Sequence, residues 1–337
     1  MTMQPFRLFR PNDLLAASTA VSNQPNQVVF RAGGIDLIDR MKEGLEQPEV
    51  LVELRSIQGE QGQRLRSIQQ QENGWDIGAL VTLHQIENFS TWPLAYQALR
   101  QASGSAATPS IRNTATLGGN LLQRPRCWYF RNASQPCLKK GGHTCLAVDG
   151  DHRYHAIFAG GPSWIVHPST TASALLALSA QVEVFSAQDV VFWPVEKLFL
   201  TPKEDPIREH RLAQGEILTR VHLPTLAADG RSIYCASKEK QSHDWPLAEV
   251  AVYLELRGGV ITSPRVILGH VAPIPWRATA AEAILEGQQV SADLFAKAAQ
   301  AATTDAKPLT DNKYKIPLVQ GLLREALHQV CEVDFLE

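Results

Sequence analysis

Three of the chain's five cysteines fall in one short basic stretch, "RCWYFRNASQPCLKKGGHTC", residues 126–145. Cys127, Cys137 and Cys145 are separated by nine and seven residues. That spacing is not C-x-x-C, so a thioredoxin-like couple and the usual zinc-ribbon knuckles fit poorly. A thiolate-ligated cluster needs only that the chain fold back on itself. Gly141 and Gly142 would permit this, and Arg126, Arg131, Lys139 and Lys140 would offset the cluster's negative charge. On the residues alone, a metal site and three unrelated thiols both stand. Cys235 and Cys331 lie in apolar, patterned stretches, where core packing is their expected role.

Two glycine-bearing segments could hold an anion. "RAGGIDL", residues 31–37, follows a strand-like run and enters a helix-like one. Paired glycines there let successive amide N–H groups converge on a pyrophosphate, although the same pattern also makes an ordinary tight turn. "IRNTATLGGN", residues 111–120, adds Thr114, Thr116 and Asn120 as hydrogen-bonding groups and Arg112 as a charge partner. Two such loops suit a dinucleotide gripped from two sides. Neither is G-x-G-x-x-G, which argues against a Rossmann site, and no G-x-x-x-x-G-K-[ST] element is present.

H-E-x-x-H and G-x-S-x-G are also absent. "SHDW", residues 242–245, contains Ser, His and Asp, but neighbours along a strand point to alternate faces and rarely form a triad.

The elements that must position these residues are mixed. "QVVFRAGG" reads as a strand and "IDLIDRMKEG" as a helix; "EVLVELRSI" and "WDIGALVTLHQI" read as strands or strand-to-helix transitions. Trp92 to Ala102 has helical character, and "SIRNTATLGGNLL" reads as a polar turn. Beyond the cysteines, "ASALLALSAQVEVFS" predicts a helix and then a strand, and "EILTRVHLP" another strand. "EVAVYLELRGGVITSPRVILGHVAPIP" predicts an antiparallel pair turning at Gly258-Gly259, with mostly helix from Ala278 onward. This pattern implies an α+β fold with a boundary near residues 225–231.

The chain has 337 residues, 44% hydrophobic and 20% charged, with a formal net charge of −2. Near-neutral charge argues against general nucleic-acid binding, which needs a cationic excess to displace phosphate counterions. No stretch approaches the roughly 18 to 20 apolar residues that span a bilayer, and the opening segment lacks a secretory h-region. A cytoplasmic location is therefore expected, with the periplasm reached only by co-export with a partner.

"VVFRAGGIDLIDRMKEG", "IRNTATLGGNLLQRPRCWYFR", "HPSTTASALLALSA", "LGHVAPIPWRA" and "NKYKIPL" occur in an order and spacing that make the chain similar to a known family. It resembles the FAD-binding (medium) subunit of molybdenum hydroxylases, the xanthine dehydrogenase and carbon monoxide dehydrogenase family. The likeness runs over nearly the whole chain. It is especially similar to the FAD and iron–sulfur subunit of periplasmic-type aldehyde oxidoreductases, where "RCWYFR" and "QPC" open an inserted iron–sulfur loop.

The resemblance implies an FAD-binding domain over 1–228, two-lobed and of the vanillyl-alcohol-oxidase type, with the iron–sulfur loop inserted at about 124–160. A smaller α+β C-terminal domain over 229–337 would follow. It implies that Arg31, Ala32, Gly33, Gly34, Ile35, Asp36 and Leu37 form the pyrophosphate loop. Ile111, Thr114, Thr116, Gly118, Gly119, Asn120 and Leu121 would form the second FAD loop, with Thr170 as a further contact. Cys127, Cys137 and Cys145 would ligate a [4Fe–4S] cluster.

Three positions depart from the family pattern. Ile35 replaces a threonine, Thr170 an aspartate and Ala236 a lysine, which raises the alternative of an assembly subunit with a degenerate flavin site. A metal-stabilised binding module is a third reading. Because such clusters usually take four cysteines, Trp164 is read as occupying the missing ligand's place, with His143, His155, Cys235 or an exogenous group as substitutes. The family's partners would be a molybdopterin-binding large subunit, a small subunit with [2Fe–2S] centres and an external electron acceptor.

Overall fold

The computed structural model describes residues 3–24, 26–240 and 243–332. Its first lobe contains β1 (Arg7–Phe9), α1 (Leu14–Asn23), β2 (Val28–Arg31), α2 (Ile35–Lys42) and β3 (Val50–Glu53). The three strands form a parallel sheet in the order β1-β3-β2. Parallel pairing requires crossovers, and α1 and α2 supply them. The Asp13 side chain caps α1 by accepting from Ala16 N–H.

The second lobe begins with α3 (Gly59–Leu65), β4 (Ile68–Gln71), β5 (Gly74–Gly78), α4 (Leu83–Glu87) and α5 (Gln97–Ser105). Two short helices follow, α6 (Pro109–Arg112) and α7 (Leu117–Leu121), then α8 (Trp128–Arg131) inside the cysteine segment. The lobe closes with α9 (Thr170–Ala177), β6 (Gln181–Phe185), β7 (Val190–Pro194) and β8 (Ile217–Pro224). Its sheet is antiparallel, in the order β4-β5-β8-β6-β7. Helix α9 is buried along its whole length, as its run of Ala and Leu requires.

The predicted turn at "SIRNTATLGGNLL" is instead α6 and α7. Thr108 caps the first through Ile111 N–H, and Thr116 caps the second through Gly119 N–H. Side-chain caps of this kind let one-turn helices persist where propensity alone would not.

The third unit is a four-stranded antiparallel sheet in the order β12-β11-β10-β9, made of β9 (Gly230–Lys238), β10 (Pro246–Arg257), β11 (Val260–Gly269) and β12 (Trp276–Arg277). It is covered by α10 (Thr279–Leu285), α11 (Ala292–Ala301) and α12 (Lys315–Cys331), which share one apolar core with β9, β10 and β11. Arg257 pairs with Val260 across the Gly258-Gly259 turn, where both glycines have positive φ, as the sequence predicts. Cys331 is buried in this core and Cys235 packs against it. Both act as small apolar side chains.

Candidate functional site

The two glycine loops meet. β2 ends at Arg31, and the chain turns through Gly34, whose φ of +77° favours glycine, into α2. At Gly33 a Cβ would lie 2.3 Å from the carbonyl oxygen of Thr114 in the second loop, so only glycine allows this approach. The N–H groups of Gly33, Gly34 and Ile35 donate to no group among the described residues. They lie at the start of α2, where unpaired amides and the helix dipole favour an anion.

The second loop is held from behind. Leu117 N–H donates to Val81 O and Gly118 N–H to Ala79 O, each at 2.9 Å. The side-chain oxygen of Asn120 accepts from Ser169 Oγ at 2.6 Å and Thr171 Oγ1 at 2.7 Å, fixing the loop to the start of α9. Its amide nitrogen is then directed by those bonds.

Between the loops runs a cleft of about 460 Å³. Ala32, Gly33, Gly34, Ile35, Asp36 and Leu37 line it from one side, and Ile111, Thr116, Gly118, Gly119 and Asn120 from the other. Thr170 completes the wall. Its hydroxyl is buried and has no hydrogen-bond partner among the described residues, a costly state unless a ligand supplies one.

Three expected residues are not on the wall. Arg31 turns to an ion pair with Glu53, and the Thr114 carbonyl is engaged by Arg55. Leu121 is buried in the core of the second lobe. Thr116 lines the cleft, but its hydroxyl is committed to capping α7.

Two cleft residues were missed by the sequence reading. Arg126 and Trp245 both line it, and the guanidinium lies 4.7 Å from the indole ring centre. His243 to Trp245 precede β10 rather than forming a strand, and Ser242 lies outside the described residues. A basic residue beside a cysteine and a tryptophan before a strand carry no local signal for this pairing. At Ala236 the lysine charge is absent, but Lys238, on the same face of β9, donates to Ser105 O at 2.6 Å beside the cleft.

Asp36 lines the cleft, and basic residues surround its carboxylate. Its carboxylate accepts hydrogen bonds from Arg131 Nη2 at 2.6 Å and the Arg124 backbone N–H at 3.1 Å, and forms ion pairs with Arg126 at 3.1 Å and Arg40 at 3.0 Å. Burial alone would raise its pKa; Arg40, Arg126 and Arg131 outweigh burial and hold it below the usual carboxylate value. With Asp39 on the same helix and Glu43 just past its end, this carboxylate ties the cysteine segment to α2.

The cysteine segment folds back on itself through Leu138 N–H to Thr144 O at 2.9 Å and Gly142 N–H to Cys137 O at 3.1 Å. Cys127, Cys137 and Cys145 line one narrow internal cavity and form no disulfide. They do not converge on a point: among the described residues no three His, Cys, Asp or Glu groups are placed as a single metal ion would need. Burial pushes the Cys127 thiol up to about 11, with the Phe130 and Tyr129 N–H groups opposing.

The basic residues mostly do not face the sulfurs. Lys139 reaches the cavity wall but pairs with Glu209 at 2.9 Å, and Lys140 donates to backbone carbonyls. Arg131 and Arg126 serve Asp36. Guanidiniums and ammoniums here hold the loop's shape.

The substitutes for a fourth ligand are separated by the fold. His143 is exposed, and Cys235 belongs to the C-terminal core. His155 is buried with Nε2 3.2 Å from Cys127 Sγ, and burial lowers its pKa to about 4, so the ring is neutral. Trp164 is not on the cavity wall; its indole covers Gly160.

A flavin-scale cleft gripped by two glycine loops, with an antiparallel domain behind it, defines a class that known proteins share. Residues 4–226 match the FAD binding domain in molybdopterin dehydrogenase, and residues 232–330 match the CO dehydrogenase flavoprotein C-terminal domain. The chain belongs to the FAD-binding medium subunits of the molybdenum hydroxylase family, and it is an oxidoreductase subunit.

Among its relatives is the aldehyde oxidoreductase FAD-binding subunit PaoB of Escherichia coli, 33% identical over 96% of this chain and 98% of that one. The carbon monoxide dehydrogenase medium chain of Hydrogenophaga pseudoflava is 22% identical over 96% of each. Carbon monoxide dehydrogenase from Oligotropha carboxidovorans shares the fold with a TM-score of 0.77 at 22% identity, covering 99% of this chain and 100% of that one. No helix among the described residues is long and apolar enough to cross a membrane.

Proposed function

We propose that this chain carries FAD in the cleft between its glycine loops and relays electrons within an aldehyde-oxidising molybdenum hydroxylase. The observation that carries the reading is Thr170: its orphaned, buried hydroxyl faces the cleft shared by both loops. The free amides of Gly33, Gly34 and Ile35 suit the pyrophosphate, and Asn120 and Thr170 suit the hydroxyl-bearing part of the cofactor. Ile35 gives up a hydroxyl but keeps its N–H, so the departure from threonine leaves the cradle's backbone donors in place.

Bound FAD would supply one- and two-electron chemistry. The chain's part is to hold and orient it, with Arg126 and Trp245 packed together on the cleft wall. Electrons would come from [2Fe–2S] centres of a small subunit, after substrate oxidation at molybdopterin in a large subunit, and leave to an external acceptor. The likeness to PaoB, itself named for aldehyde oxidation, supports the substrate class.

We further propose that Cys127, Cys137 and Cys145 hold a [4Fe–4S] cluster. Three thiols without a disulfide share one cavity wall, and a thiolate-ligated cluster takes each thiolate on a separate iron. The division at residues 228–229 falls between β8, ending at Pro224, and β9, starting at Gly230.

FAD, iron and acid-labile sulfide, counted per chain in the complex purified anaerobically, test both cofactors. The reading expects one FAD per chain and iron and sulfide in excess of the [2Fe–2S] centres. Flavin-free complex at full subunit occupancy would contradict it and favour an assembly role.

A further inference from the structure

Two large apolar side chains on the wall of the cleft are left uncovered. Trp245 is 45% exposed and Ile35 is 37% exposed. A single apolar side chain on an open surface needs no explanation. An indole on a cleft wall is different, because it keeps a flat apolar surface in water where a ligand can cover it.

The indole is fixed in advance. The Arg126 guanidinium sits over its ring, and that guanidinium is held by Asp36 at 3.1 Å, Asp39 at 3.5 Å and Gln123 Oε1 at 3.2 Å. The His270 ring supports it from within the chain, tilted by 33° with ring centres 6.4 Å apart. The Trp245 backbone N–H donates to the Asp244 carboxylate at 2.9 Å, and the next residue, Pro246, is buried at the start of β10. A side chain ordered before its ligand arrives loses little entropy on binding. Trp245 precedes β10 of the third unit, whereas both glycine loops belong to the first two lobes.

We infer that Trp245 stacks on a fused aromatic ring of FAD, so that the C-terminal domain supplies part of the cofactor site. The inference rests on the reading that this cleft holds FAD. That cofactor carries two such rings, isoalloxazine and adenine, on either side of its pyrophosphate, and an indole face accepts either. Ile35, beside Asp36 at the start of α2, adds apolar surface to the same wall. The side chain that gives up a threonine hydroxyl contributes contact of another kind.

Deflavinated complexes of wild type, Trp245→Phe and Trp245→Leu are titrated with FAD while flavin fluorescence and visible absorption are recorded. Phe keeps an aromatic face; Leu keeps apolar bulk alone. The inference expects W245L to bind FAD about tenfold more weakly and W245F to recover most of that loss. Stacking on isoalloxazine also brightens flavin fluorescence and shifts its absorption in W245L. Stacking on adenine leaves both spectra unchanged, and ADP then competes about tenfold less well in W245L than in wild type. Should W245L fail to assemble, Trp245→Gln serves as the ringless variant under the same expectations. FAD affinity in the ringless variant equal to wild type would overturn the inference, as would W245F binding as weakly as that variant. A ringless variant that keeps its flavin but sheds a partner subunit would also overturn it, assigning Trp245 to a subunit interface. Wild-type complex that takes up no FAD defeats the cleft reading itself, and is distinguishable from each of these results.

Discussion

Asp36 on α2 and Arg131 at the end of α8 are 95 residues apart in sequence and joined by a 2.6 Å contact from Nη2 to Oδ1. The helix that lines the cleft between the glycine loops is thereby clamped to the cysteine segment. Asp36→Asn leaves Arg40, Arg126 and Arg131 without their common carboxylate, and the expected loss is about 3 kcal/mol in urea unfolding. In the double variant with Arg131→Met the loss is smaller than the sum of the singles. Because the Asp36 pKa is lowered on folding, its contribution is present above the ordinary value of 3.8 and lost as pH falls below it.

Thr170→Val keeps the shape of the cleft wall and removes an oxygen with no partner in the chain among the described residues. Apoprotein stability is expected to stay level or rise slightly. FAD affinity falls by about 1 kcal/mol, roughly fivefold, measured by flavin titration of the deflavinated complex. Equal affinity in both proteins would remove Thr170 from the binding account.

Lys315 is fully buried, with Nζ donating to Tyr154 O at 2.9 Å and His270 O at 2.8 Å, and burial lowers its pKa from 10.5 to about 7. Between those two values the unfolded chain binds the proton and the folded chain releases it. Stability gained from this group therefore rises with pH from about 7 to 10.5 and is flat below. Thermal unfolding across that range should show the rise in the wild type and a flatter profile in Lys315→Met.

Much of this architecture is written locally. The "VVFRAGG" strand-to-helix step, the turn at Gly258-Gly259 and the buried α9 follow from periodicity and glycine placement. What is not local was missed. Leu121 turns into the core because α7 presents that face inward, and Arg31 pairs with Glu53 on the adjacent strand. Arg126 and Trp245 meet across more than a hundred residues, with no spacing rule to announce them. The basic residues around the cysteines could be counted from the sequence, but their carboxylate partners on α2 could not.

The central claim is that the contact between Gly33 and Thr114 forms one flavin cradle from two distant loops. FAD released by acid from purified complex, counted against this chain, tests it in wild type and in Gly33→Ala. An added Cβ 2.3 Å from the Thr114 oxygen must push the loops apart, costing about 1–3 kcal/mol of overpacking. The account predicts one FAD per wild-type chain and little or none in G33A, with the other subunits still bound. Full flavin in both, or none in either, would contradict it.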